Sequence, residues 1–213
     1  MIITKIESQK KNKGRSSVYI DDSFAFGLSD FDVLRLHLKV GKTLTEADVA
    51  AIRQDILLAD SRQYALHLLD RHSYTEAAMC RKLRDRGTDE ETILNVISFL
   101  KGYHYIDDED YARRYIKAAL HAGKSGLKKI QYDLVGKGVD KDIIETVISE
   151  LSEEEFDEMV AIMPILQKKL RGDYSFQNKM KAKRYLLSRG FSVDSIDHAM
   201  QKTEEESSSN ETI

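Results

Sequence analysis

The residues Ala122-Gly123-Lys124-Ser125 hold the glycine, lysine and hydroxyl that close a phosphate-binding loop, so nucleotide chemistry is the first to weigh. The full motif needs another glycine five residues before Gly123, where Ala118 stands, and a strand ahead of it, where the pattern reads as helix. The match is a decoy. Residues 107–110, Asp-Asp-Glu-Asp, invite a metal site, yet no histidine or further carboxylate stands at ligand spacing, and acids at a helix start complement its dipole. His37, His67, His72, His104, His121 and His198 show no metal spacing either. Cys80, the only cysteine, can form neither an internal disulfide nor a zinc cluster. With no nucleophile–base pair in view, no catalytic residue, cofactor or metal is expected.

What rises above background is segregated charge. Lys168, Lys169, Arg171, Lys179, Lys181, Lys183, Arg184 and Arg189 stand against one acid, Asp173. Lys124, Lys128, Lys129 and Lys137 stand against Asp133, whereas residues 142–167 hold no Lys or Arg. A charge run is ordinarily a solvated face. These bases, however, recur on corresponding helices, and stacking those helices would align them into a stripe suited to a nucleic-acid backbone or an acidic partner.

The elements that must position these bases occur three times. Gly87, Gly138 and Gly190 are spaced by 51 and 52 residues. Each has a leucine four residues before it (Leu83, Leu134, Leu186), a base one before (Arg86, Lys137, Arg189) and an isoleucine six after (Ile93, Ile144, Ile196). In the middle copy Leu127, Ile130 and Leu134 share a helix face, and Lys137 complements the carbonyl end. Gly138 supplies a left-handed C′ residue, and Asp140 is placed to cap the next helix, with Asp89 and Ser192 in the same slot elsewhere. Ile143, Ile144, Val147, Ile148 and Leu151 make that helix's apolar stripe. Isolated helices of about 13 residues are marginal in water, so each must dock on neighbours. Each copy reads as a helix-turn-helix pair with a preceding helix.

Ahead of the repeats, residues 2–6, 17–20 and 24–28 are β-branched or aromatic and read as a two- or three-stranded sheet. Asp21-Asp22-Ser23 is its hairpin turn, and the basic residues 9–15 form a loop with the character of a solvated turn. Asp30 is placed to cap a helix over 31–38 that Gly41 ends; Thr45 caps another over 43–56, residues 59–71 continue helically, and Ser73 caps the next. At the following joint Gly102 should stop a helix, with Tyr103, Tyr105 and Ile106 packing behind it. Tyr111, Ala112, Tyr115 and Ile116 read as core, leaving Arg113, Arg114 and Lys117 exposed. Pro164 should kink or restart a helix over 159–170, and the acidic, serine-rich residues 204–213 read as disordered.

The expected class is all-α, three tandem three-helix repeats in a curved array with a small N-terminal β extension. The boundaries are 1–58 for the extension, 59–107, 108–152 and 153–203 for the repeats, and 204–213 for the tail. The composition agrees: 32% charged residues and one proline in 213 suit long helices. A net charge of −3 argues against a generic polyanion binder, so any basic function must be regional. No apolar run approaches the ~18 residues of a membrane span and no signal-peptide core follows Met1, so a cytoplasmic protein is expected.

These residues resemble the RecX family, regulators of the bacterial recombinase RecA. The matching joint is Gly102-Tyr103, then Ile106-Asp107-Asp108-Glu109-Asp110-Tyr111-Ala112-Arg113-Arg114-Tyr115, joined by the three glycine elbows, above all Leu186-Leu187-Ser188-Arg189-Gly190-Phe191-Ser192-Val193. The resemblance covers roughly residues 59–203, with the N-terminal strands resembling an extension carried by some members. It implies a non-enzymatic protein, expected to be a monomer, that binds RecA–single-stranded-DNA filaments and limits their growth and ATPase activity, with weak affinity for bare DNA. On the family pattern the contact bases would be Arg113, Arg114, Lys117, Lys124, Lys128, Lys129, Lys179, Lys181, Lys183 and Arg184. The acidic tail, residues 153–158 and the negative net charge depart from that pattern and weaken independent DNA affinity more than filament binding. The rival reading is a helical DNA- or RNA-binding protein that works without a recombinase.

Overall fold

A computed structural model describes residues 1–10, 14–151 and 157–210, the last five by backbone alone. It is mostly helical, with one small sheet. The chain divides into two compact units, Met1–Arg71 with Leu83–Ser98, and His72–Lys82 with Phe99–Ile213.

In the first unit β1 (Ile3–Ser8), β2 (Arg15–Ile20) and β3 (Ser23–Ser29) form an antiparallel meander in the order β1-β2-β3. The β2–β3 turn places Asp21 and Asp22 at φ 48° and 65°, the positive values a two-residue hairpin of matching twist requires and that Asp tolerates. Lys11 and Lys13 of the basic loop lie outside the described residues. Alternation along β2 buries Ser16, Val18 and Ile20. Val18 and Ile20 join Ile3, Phe26, Leu28, Leu38, Leu44, Val49 and Ile52 in one apolar core.

Helix α1 (Asp30–Arg35) is shorter than expected, and its cap is Ser29, whose hydroxyl accepts from the Asp32 amide at 3.0 Å. Asp30 instead accepts from the Ser16 hydroxyl at 2.7 Å. Gly41 serves a turn, at φ 87°, where its amide donates to the Ile3 carbonyl. Thr45 and Asp48 form a reciprocal capping box that starts α2 (Glu46–Leu69). With no glycine or proline inside it, α2 is one 24-residue helix where two were expected. Toward its far end the Tyr64 ring centroid lies 4.4 Å from the Arg86 guanidinium beside the first elbow, and in its first half Gln54 donates to Thr92 at 2.9 Å.

The next helices are α3 (Glu76–Asp85) and α4 (Glu90–Gly102). The cap of α3 is Thr75, accepting from the Ala78 amide at 3.1 Å; Ser73 accepts from Arg114 instead. Gly102 is helical, and the left-handed residue that ends α4 is His104, at φ 55°. Ile106 is buried, but Tyr103 and Tyr105 are exposed and stack on one another, with the Phe99 ring tilted against both.

Two further triplets follow: α5 (Asp108–Ala122), α6 (Leu127–Lys137) and α7 (Lys141–Ser149), then α8 (Glu158–Leu170), α9 (Phe176–Ser188) and α10 (Val193–Asn210). Each triplet closes its own core. Ala112, Ile116, Ile130, Leu134, Val139, Ile144 and Val147 fill the first. Ile162, Leu166, Leu170, Ala182, Leu186, Phe191, Ile196 and Ala199 fill the second. Helix α8 runs unbroken through Pro164, which lies on its exposed side. Helix α10 continues to Asn210, so residues 204–210 are helical rather than disordered; the turn before them is anchored by the buried Thr203, and Glu204 pairs with Lys179 at 2.6 Å. Residues 152–156, most of the acidic stretch at 153–158, lie outside the described residues.

The elbow glycines take φ 87°, 87° and 83° at Gly87, Gly138 and Gly190. Two are also points of close approach. A Cβ on Gly138 would fall well inside van der Waals contact of Ala77 Cβ, and one on Gly190 would lie 2.6 Å from Lys129 Cβ; Gly87 has open space. Gly87→Ala should therefore cost only the left-handed strain, about 1–2 kcal/mol. Gly138→Ala and Gly190→Ala should cost clearly more, and Leu134→Ala about 2–5 kcal/mol. Urea midpoints of the four variants check the ranking; equal losses at all three glycines would remove the close-approach argument.

Candidate functional site

The fold sorts the candidate bases into two sets. Helical i, i+4 spacing pairs Arg113 with Glu109 at 2.8 Å, Arg114 with Asp110 at 2.8 Å and Lys129 with Asp133 at 2.6 Å. Arg113 also reaches across to Glu150 at 2.6 Å, so it is half-buried and tied at both ends rather than open. Lys179 pairs with Glu204, and Lys183 with Asp197. Lys117 is exposed on α5. Lys124, Lys128, Lys181 and Arg184 are exposed with no carboxylate within 4 Å among the described residues. Asp173, the one acid among the C-terminal bases, is exposed: its carboxylate accepts from the Ser175 amide at 2.9 Å, which with the Ser175 hydroxyl and the Lys181 charge lowers its pKa.

A second grouping was not visible in spacing. Lys168, Lys169, Arg171 and Arg189 come together with Lys124 around a cavity of about 440 Å³. Linear counting registers their charge but not their convergence, which depends on two helix ends meeting a loop 65 residues away: Arg189 Nε donates to the Lys124 carbonyl at 2.7 Å.

Three family models match the chain. "Regulatory protein RecX N-terminal domain" matches residues 1–45, "RecX, first three-helix domain" residues 62–100, and "RecX, second three-helix domain" residues 107–148. The chain belongs to the RecX family. A regulatory protein RecX of Clostridium botulinum (strain Eklund 17B / Type B) is 33% identical over 205 residues, which is 94% of this chain and 95% of that one. The Clostridium acetobutylicum protein of the same name is 35% identical over 210 residues, with the same shares covered. Among solved structures, a regulatory protein RecX superposes with a TM-score of 0.74 at 26% identity, covering 94% of this chain and 98% of its own. RecX from Lactobacillus salivarius gives 0.64 at 25%, covering 70% and 97%. The likeness thus reaches beyond residues 59–203 to include the N-terminal sheet. Among the described residues no helix is long and apolar enough to cross a membrane.

In this RecX-family chain the acidic joint has a structural use. Asp107 caps α5 by accepting from the Asp110 amide at 2.9 Å, while Glu109 and Asp110 hold Arg113 and Arg114. Asp108 reaches back to α3 and accepts from the Glu76 amide at 2.8 Å. Burial raises the Asp108 pKa above the usual aspartate range, with the Glu76 and Asp107 charges adding to it; the Glu76 amide and Lys101 oppose them. A carboxyl whose pKa is raised on folding binds its proton more tightly in the native state. Its ionisation therefore weakens the fold as pH rises through the acid range. Asp108→Asn keeps an acceptor for the Glu76 amide and removes the charge. The variant should be at least as stable as wild type at neutral pH, and its advantage should vanish below the aspartate range, where both side chains are neutral. Urea denaturation across pH decides; a loss at neutral pH would mean that the charged bond to Glu76 outweighs the burial.

Proposed function

We propose that this protein is a non-catalytic regulator that binds RecA filaments on single-stranded DNA and limits their growth and ATPase activity in the cytoplasm. The observation that carries this reading is the match to RecX regulatory proteins along almost the full chain. Lys124, Lys128, Lys181 and Arg184, on or beside α6 and α9, supply the first contacts with the polyanionic filament, because each is exposed with no carboxylate within 4 Å among the described residues. Arg113, Arg114, Lys129, Lys179 and Lys183 would join only as their present carboxylate partners are exchanged for phosphate, and Lys117 is a further exposed base on α5. Exposed ion pairs are worth about 0–1 kcal/mol, so that exchange is cheap at exposed Arg114 and costs more at the half-buried Arg113, Lys129, Lys179 and Lys183. The protein acts as a monomer along the filament, and bare DNA is bound more weakly.

Reversing Lys124, Lys128, Lys181 and Arg184 to glutamate should leave folding nearly intact and abolish filament inhibition. The comparison to make is RecA ATPase on single-stranded DNA with wild type and with the folded quadruple variant over a salt series. Equal inhibition by both would reduce these bases to a solvated face. A strong effect on bare DNA with none on the filament would favour a nucleic-acid-binding protein that needs no recombinase.

A further inference from the structure

The cavity between α8, α9 and the α5–α6 loop is lined by Lys124, Lys168, Lys169, Arg171 and Arg189 on an apolar wall of Pro164, Ile165 and Tyr185. No carboxylate contributes to its lining, and none of the five cations has a carboxylate partner among the described residues. This contrasts with α5, where Arg113 and Arg114 are both paired. Two internal contacts are made instead: Arg189 uses Nε on the Lys124 carbonyl, and Lys169 Nζ lies 3.9 Å from the Tyr185 ring centroid.

Helix ends account for part of this charge. Arg171 and Arg189 are the C-caps of α8 and α9, where cations complement the carbonyl ends. Each helix terminus carries roughly half an elementary charge, so two of them offset about one of the five cations. The remainder is concentrated in an open concavity, where converging charges of one sign over low-dielectric walls focus the field. The walls are also held in place. The Gly126 amide donates to the Arg189 carbonyl at 3.0 Å, and a Cβ on Gly126 would lie 2.5 Å from the Phe191 nitrogen, so loop and elbow are locked at backbone distance. A preorganised cationic cavity with no carboxylate in its lining among the described residues, and with one aromatic wall, fits a chain of phosphates flanked by flat bases.

We infer that this cavity is a phosphodiester-binding site that takes the backbone of single-stranded DNA, with Tyr185 as the surface for an adjoining base. The inference deepens the filament reading and rests on it for where that strand is met. It adds Lys168, Lys169, Arg171 and Arg189 to the contact surface, and it makes Lys124 the residue shared between the cavity and the open bases.

The test uses the full-length protein and the double variant Lys168→Gln/Arg171→Gln, both side chains being exposed and outside the cores. Fluorescence anisotropy of labelled oligo(dT) is followed over a salt series, with inorganic tripolyphosphate as a competing anion. If both cations meet phosphates, the log–log salt slope should be shallower in the variant by about 1.4, at roughly 0.7 per single-strand phosphate, with weaker binding at every salt and an unchanged melting temperature. Equal affinity and slope in the two proteins, or no oligo(dT) binding by wild type even at low salt, would overturn the assignment. So would loss of tripolyphosphate binding with oligo(dT) binding intact, which would make the cavity a site for free anions. RecA ATPase on the filament is read separately: a wild type that leaves it untouched refutes the filament reading, while the oligo(dT) slopes still decide the cavity.

Discussion

The contact on which the helical part depends joins the end of one helix to the start of another. Thr75, the cap of α3, donates its hydroxyl to the Lys137 carbonyl at 2.8 Å, one residue before the Gly138 elbow. Gly126, which begins α6 from the position 51 residues on, donates its amide to the Arg189 carbonyl, one residue before the Gly190 elbow. In both joints a helix N-terminus, with donors to spare, meets a helix C-terminus, with acceptors to spare. The partial charges of the two ends are opposite, so the same contact satisfies hydrogen bonds and aligns dipoles. It also explains why residue 126 is glycine although Thr75 fills the earlier slot. At the second joint the backbones approach so closely that a Cβ would collide with Gly190 and Phe191.

This joint separates two roles that a repeated glycine can have. Gly87, Gly138 and Gly190 all reverse the chain with positive φ, but only the last two are covered by another helix. Gly87 ends the series with its Cβ position open. In a repeat array each unit contacts its neighbours and the terminal unit lacks one, so equal residues carry unequal energetic weight.

The repeat, its caps and its cores were legible because they rest on local chemistry. Asp89, Asp140 and Ser192 cap as the pattern required, and the leucines before each elbow are fully buried. What the sequence concealed depended on choices between neighbouring residues of similar type. Ser29 and Thr75 took caps expected of Asp30 and Ser73 because the displaced residues had partners elsewhere, Ser16 and Arg114. Tyr103 and Tyr105 sit outside the core, stacked on one another at the surface, while Ile106 is the buried residue of the joint. Residues 204–210 lack an apolar frame but extend a helix already anchored by Thr203 and Lys179, and glutamate is a good helix former once a helix has begun.

The candidate site was legible only as an excess of charge, and the reason is physical. Whether a base is available depends on its nearest acid, and that acid lies either one turn away, where spacing reveals it, or across the fold, where nothing local does. Glu109, Asp110 and Asp133 belong to the first kind; Glu150, Asp197 and Glu204 to the second. The distinction governs binding as well as structure. An unpaired cation that meets a phosphate displaces condensed counterions and adds to the salt dependence. A paired one must first release its carboxylate, which then needs counterions of its own, so its net contribution is smaller. On the proposed function, salt dependence should thus report the open bases and the cavity cations rather than the full basic tally, since a net charge of −3 describes the whole chain and not the local field of one basic surface.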